Sequence, residues 1–176
     1  MFNVSKYLPV VGAWIFIAVT SSANGEEVQD ENDRVSDEIV ACPQFLNYDS
    51  RLLHSRQNIN LCEIAAGKTL LLVNTASHCG YTKHFKSLEA IHQQYKDKGL
   101  VVVGFPSNDF FQEDEEEAKC ADICFVNYGV TFTMLAPSEV RGKGANPVFQ
   151  FLADASVSPK WNFYKYLIDK KGNFVE

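Results

Sequence analysis

Two runs of apolar residues, Thr69 to Asn74 (TLLLVN) and Leu100 to Phe105 (LVVVGF), flank a stretch in which Phe85, Leu88, Ile91 and Tyr95 recur at spacings of three and four. An apolar run with no polar alternation predicts a strand buried on both faces. The three-and-four spacing predicts an amphipathic helix from about Thr82 or Lys83, with Gly99 placed to cap its C-terminus. Strand, helix and strand of these lengths form a βαβ unit, so the two strands should run parallel. Ahead of them, PQFLNYDSRLLHSRQNINLCEI reads as a short hairpin. Beyond them, EDEEEAKCADICFVNY reads as a second helix whose acidic start, Glu113 to Glu117, suits the positive end of the helix dipole and is read as solvated. VTFTML is a third strand, NPVFQFLADA a short helix with Pro147 in its first turn, and FYKYLIDKKGNFVE a hairpin turning at Gly172. The order β-α-β-α-β-α-β-β predicts an α/β fold with a mixed central sheet flanked by helices.

The first 23 residues break this pattern. YLPVVGAWIFIAVTSSA is apolar and almost uncharged, and Ser21 and Ala23 fit the small-residue rule for cleavage. Residues 1–23 are therefore expected to be a secretory signal peptide, 24–40 a flexible acidic leader, and 41–176 the folded domain. The rival reading of the apolar run is an uncleaved anchor, but Tyr7 to Val19 falls short of the roughly 18 to 20 residues that cross a bilayer. Export to a periplasm or the outside, with no stable membrane association, is the expectation. The net charge of −6 supplies no basic footprint for nucleic acid.

Export allows disulfides. The cysteines are Cys42, Cys62, Cys79, Cys120 and Cys124, an odd number, so at least one thiol is unpaired within a monomer. A hairpin folded about Leu52 would set Cys42 opposite Cys62; the alternative is two separate cysteines. Cys79, in NTASHCGYT, follows the first buried strand and precedes a helix. Ligands bind at that edge of an open α/β sheet, and a helix N-terminus favours a thiolate. No spacing of ligands suggests a metal site.

The blocks LLVNTASHCGYT, VVVGFPSNDFFQE, NYGVTF, NPVFQFL and KWNFYKYLIDKKG, in this order, resemble the glutathione peroxidases from Phe45 to Glu176. The resemblance implies a thioredoxin-like fold, no cofactor, and a cysteine-type peroxidase that reduces hydrogen peroxide and organic hydroperoxides in response to oxidative stress. It places the catalytic set on Cys79, Gln112, Trp161 and Asn162. Taken singly, Trp161 could be a core aromatic, Asn162 a cap and Gln112 a loop residue. It places the thiol that resolves oxidised Cys79 on Cys124, with Cys120 one helical turn earlier as the rival, and a thioredoxin-like protein as reductant ahead of glutathione. His78 is read as a surface histidine or a residue tuning Cys79, and Lys83, His84 and Lys86 are the nearby cations. The chain departs from the family in FPSNDF for FPCNQF, in a stretch after Phe111 one residue short of GGQEPG and without its glycine and proline, in the lack of an assembly insertion, which implies a monomer, and in stopping before a last helix. Two other classes compete: a general thiol–disulfide oxidoreductase, for which Cys79-Gly80-Tyr81-Thr82 lacks a Cys-x-x-Cys pair, and an inactive binding module.

Overall fold

The chain enters the fold as a hairpin of β1 (Asp49–Arg51) and β2 (Asn58–Asn60) in a computed structural model that describes residues 42–176. The expected signal peptide, 1–23, and acidic leader, 24–40, lie outside the described residues. Asp49 faces Asn60 and Arg51 faces Asn58, so the hairpin turns between His54 and Ser55 rather than at Leu52. Arg51 then holds this turn to a later helix through paired bonds to the Glu117 carboxylate at 2.8 and 2.6 Å.

Cys62 does not lie on a strand. It belongs to α1 (Leu61–Ala65), a short helix absent from the periodicity reading, whose start is capped by Asn60 accepting from the Cys62 N–H at 2.9 Å. Cys42 precedes a single 3-10 turn, Gln44–Leu46. The two cysteines form a disulfide with Cα atoms 5.7 Å apart, joining the domain's first residues to α1 instead of bridging a hairpin. The bond closes a loop with a sequence separation of 20. Replacing both cysteines by serine should lower unfolding free energy by about 3 kcal/mol, since a chain of this loop length regains that much entropy when unfolded. Urea unfolding of the double variant checks this; an unchanged midpoint would show that the link does not constrain the unfolded chain.

The central sheet has four strands in the order β5-β4-β3-β6. β3 (Thr69–Thr75) and β4 (Leu100–Pro106) are parallel, in register from Thr69 opposite Leu100 to Thr75 opposite Pro106. Between them runs α2 (His84–Tyr95), which continues through a 3-10 turn to Gly99 in the left-handed region at φ 89°. Phe85 and Leu88 are buried on α2, whereas Ile91 and Tyr95 stay exposed, so the apolar stripe ends earlier than its spacing implies. The second helix starts at Glu117 rather than Glu113. It is α3 (Glu117–Ala121), and it widens into a π-helical stretch over Asp122–Asn127. The third strand contracts to β5 (Thr133–Met134), parallel to β4. α4 (Pro147–Ala155) is capped by Asn146, whose side chain accepts from the Phe149 N–H at 3.1 Å. β6 (Lys165–Ile168) closes the other edge antiparallel to β3. The last residues turn at Gly172, φ 86°, and run back along β6, with the Val175 N–H on the Leu167 carbonyl at 2.8 Å.

Because successive strand residues point to opposite faces, β3 divides the core in two. Leu70 and Leu72 pack with Val103, Phe105, Phe149, Leu152 and Tyr166 on one face. Val73 packs with Phe85, Leu88, Val102, Phe132 and Phe163 on the other, the face that also receives Cys79, Cys120 and Cys124. Among the described residues, no helix is long and apolar enough to cross a membrane.

Candidate active site

The carboxyl ends of β3 and β4 and the start of β6 meet at one edge of the sheet, because Val73, near the end of β3, faces Lys165, the first residue of β6. Three loops leave from that edge, and they carry all four predicted catalytic residues.

Cys79 lies on the loop from β3 to α2. The Thr82 hydroxyl shapes this loop by accepting from the Cys79 N–H at 3.0 Å and donating to the Ala76 carbonyl at 2.9 Å. The Thr82 N–H donates to the Cys79 carbonyl at 2.9 Å. The turn brings the Tyr81 N–H to 3.4 Å from the Cys79 sulfur. Cys79 is unpaired and 9 % exposed, so a small oxidant can reach it while the loop shields it from bulk water.

Gln112 lies on the loop after β4, which is tied to the Cys79 loop by the His78 N–H donating to the Gln112 carbonyl at 2.9 Å. Asn162, 4 % exposed, donates from Nδ2 to Gln112 Oε1 at 2.9 Å. The shortened, glycine-free loop therefore still brings Gln112 to Asn162. Both residues follow or precede backbone in the left-handed region: Phe111 has φ 57° and Phe163 φ 61°. Such conformations cost about 1–3 kcal/mol and persist where the surroundings enforce them. Trp161 is half-exposed, with its ring 5.3 Å from that of Phe110. Asn74, fully buried at the end of β3, fixes this segment by donating to the Trp161 carbonyl at 3.1 Å and accepting from the Tyr164 N–H at 2.9 Å.

His78 is exposed and paired with Asp114 at 2.7 Å. Of the nearby cations, His84 packs against Tyr81 and Phe163 and lies 3.3 Å from Lys165 Nζ. Burial, then Lys165 and Lys83, push the His84 pKa down, and burial pushes Lys165 down as well. A neutral imidazole accepting from Lys165 follows from these directions. Lys165, on β6, was not among the cations the sequence suggested.

Cys120 and Cys124 are both unpaired and buried on α3 and its π-helical continuation. The Cys124 thiol donates to the Cys120 carbonyl at 2.9 Å. The largest correction concerns Glu113, expected at a solvated helix start. It is buried in the loop ahead of α3, where its Oε1 accepts from the Ser77 hydroxyl, from the Ser77 N–H at 3.2 Å and from the Asp114 N–H at 2.9 Å. Burial pushes its carboxyl above the usual range, against the lowering effect of these bonds. No signal in the acidic run distinguished this residue from its neighbours; Ser77, a polar residue directly after a buried strand, was the available hint.

The arrangement combines a shielded thiol with neutral donors held on adjoining loops, a combination suited to nucleophilic attack by sulfur. A family profile described as Glutathione peroxidase matches residues 45–153. A glutathione peroxidase of Lactococcus lactis subsp. cremoris is 47% identical over 116 residues, which is 62% of this chain and 74% of that protein. A glutathione peroxidase-like peroxiredoxin of Chlamydomonas reinhardtii is 46% identical over 115 residues, 62% of this chain and 71% of that protein. The crystal structure of T. cruzi GPX1 superposes with a TM-score of 0.58 at 27% identity, covering 75% of this chain and 83% of that one. With a thioredoxin-like α/β fold, a family profile matching residues 45–153 and a cysteine at the carboxyl edge of the sheet, the chain belongs to the glutathione peroxidase family.

Proposed function

We propose that this peroxidase reduces hydrogen peroxide and organic hydroperoxides at Cys79, as part of a response to oxidative stress. The observation that carries this reading is the convergence of the Cys79 loop with the hydrogen-bonded amides of Gln112 and Asn162. The Cys79 thiolate attacks one peroxide oxygen, the O–O bond breaks, and the other oxygen leaves as hydroxide or alkoxide. The remaining amide N–H groups of Gln112 and Asn162 and the indole N–H of Trp161 are neutral donors available to the developing charge, as in other oxyanion sites. The sulfenic acid on Cys79 then condenses with a thiol of the π-helical stretch after α3, Cys124 by its place ahead of NYGVTF, releasing water. A dithiol carrier of the thioredoxin type suits the resulting intramolecular disulfide better than glutathione does. The protein acts as a monomer after export to a periplasm or the outside, where the Cys42–Cys62 link is chemically at home.

The test is stopped-flow mixing of the reduced protein with one equivalent of hydrogen peroxide, followed by peptide mapping. Rapid loss of the Cys79 thiol and recovery of a Cys79–Cys124 cross-link are expected. A Cys79–glutathione mixed disulfide that forms as well in Cys124→Ser and sustains full turnover would overturn the assignment of the reductant.

A further inference from the structure

Two phenylalanines stand side by side in the loop after β4, and the fold buries only one of them. Phe110 is buried, its ring 5.3 Å from that of Trp161 and its centre 4.4 Å from the Arg141 guanidinium. Phe111 is 87 % exposed. Its backbone lies in the left-handed region at φ 57°, an outlier for a bulky residue. Bonds on both sides hold it there: the Phe111 N–H donates to the Asn108 carbonyl at 2.9 Å, and the Gln112 carbonyl accepts from the His78 N–H. Stability accounts for neither the ring nor its place. Glycine would adopt this backbone without strain and would leave no apolar ring in water. Nor is Phe111 isolated. Each of the three loops at the sheet edge carries an exposed aromatic beside its predicted catalytic residue: Tyr81 two places after Cys79, Phe111 directly before Gln112, and Trp161 directly before Asn162.

The chemistry of an organic hydroperoxide gives such a rim a use. The Cys79 thiolate takes the terminal oxygen of R–O–O–H. An S–O bond forms, the O–O bond breaks, the sulfur is oxidised to the sulfenic acid, and the oxygen bearing R leaves as an alkoxide that takes up a proton to become the alcohol. The tail R is therefore bonded to the oxygen that the donors of Gln112, Asn162 and Trp161 meet in the proposed reaction, and it leaves the site past the residues flanking those donors. An apolar tail that lies along Phe111 and Trp161 removes both rings and itself from water. Hydrogen peroxide has no tail and gains nothing there. We infer that Phe111 is a specificity-determining residue that, with Trp161, receives the apolar tail of an organic hydroperoxide and so favours bulky apolar hydroperoxides relative to hydrogen peroxide. The inference rests on the reading that Cys79 attacks peroxide.

The experiment measures, by stopped flow, the second-order rate constants for loss of the Cys79 thiol with cumene hydroperoxide and with hydrogen peroxide, in the wild type, Phe111→Ala and Phe111→Leu. The readout is the ratio of the two constants, which cancels any change common to both substrates. Phe111→Ala should lower the cumene-to-hydrogen peroxide ratio about tenfold, the scale on which apolar contacts discriminate between substrates. Phe111→Leu, which keeps an apolar side chain, should retain most of the ratio. Because the ring is exposed, neither change empties the core, and unchanged ultraviolet spectra confirm folding. Equal falls in both constants would make Phe111 a residue that only positions Gln112, and would overturn the inference. An unchanged ratio with a raised KM for a thioredoxin-type reductant would assign the ring to a protein partner and overturn it as well. In either case Cys79 oxidation would still be seen and the peroxidase reading would stand. A wild-type Cys79 thiol that neither peroxide consumes would overturn that reading, and this inference with it.

Discussion

Cys79→Ser should lower peroxide consumption at least about a thousandfold, the scale of loss when a covalent nucleophile is removed. The substitution is nearly isosteric. The buried loop keeps its Thr82 bonds, and the Tyr81 N–H that meets the sulfur can meet an oxygen instead. Folding should therefore survive, and the far-ultraviolet spectrum should match the wild type. The chemistry should not survive, because a serine hydroxyl is scarcely ionised at neutral pH and has no oxidation step equivalent to the sulfenic acid. Peroxide loss is followed with a thioredoxin-type reductant in excess. A variant that consumes peroxide at the wild-type rate would take Cys79 out of the reaction, whatever the loops around it suggest.

Asn74→Ala should be the most damaging single change that touches neither a cysteine nor a predicted catalytic side chain. Asn74 is fully buried, and its amide serves two backbone groups, the Trp161 carbonyl and the Tyr164 N–H. Alanine leaves both unpaired inside the protein. At about 1–3 kcal/mol for each orphaned group, a loss of about 3 kcal/mol is expected, readable as a lower urea midpoint. The same bonds hold the segment carrying Trp161 and Asn162 beside β3, so turnover should fall even under conditions where the variant is folded. Asn74→Asp, which keeps the acceptor for Tyr164 and loses the donor to Trp161, should also be impaired. Full activity in a folded Asn74→Ala protein would show that the Trp161–Asn162 segment holds its place without this clamp.

Much of this site was legible where periodicity governs. TLLLVN and LVVVGF have too few polar residues to be anything but buried strands, and β3 and β4 followed with their parallel pairing. Phe85 and Leu88 set the burial of α2 at the position expected. Cys79 could be placed at the strand end from these elements alone, and the family resemblance added Gln112, Trp161 and Asn162. The features that escaped are those whose conformation is set by side chain to backbone bonding. α1 is five residues long and begins on the Asn60 cap, too short to show a helical period. The hairpin centre depended on the turn at His54, whose φ of 50° is uncommon for a non-glycine residue. Glu113 shared an acidic run with Glu115, Glu116 and Glu117, and composition cannot say which member turns inward. Only the three-dimensional meeting with Ser77 separates it from the others.

The two faces of the sheet also separate two kinds of sulfur. Cys42 and Cys62 pack against the face formed by Leu70, Leu72 and Phe149, while Cys79, Cys120 and Cys124 occupy the opposite one. A layer of backbone hydrogen-bonded into β5-β4-β3-β6 lies between them. Thiol–disulfide exchange requires an attacking sulfur to come into line with the bond it breaks, and the sheet blocks that approach without any need for a difference in redox potential. The anchoring bond is thus insulated from Cys79, Cys120 and Cys124. Under the proposed reaction, reducing equivalents delivered to the Cys79 side are not dissipated in scrambling, and an intermediate on Cys79 is kept from the bond that holds the domain's first residues in place.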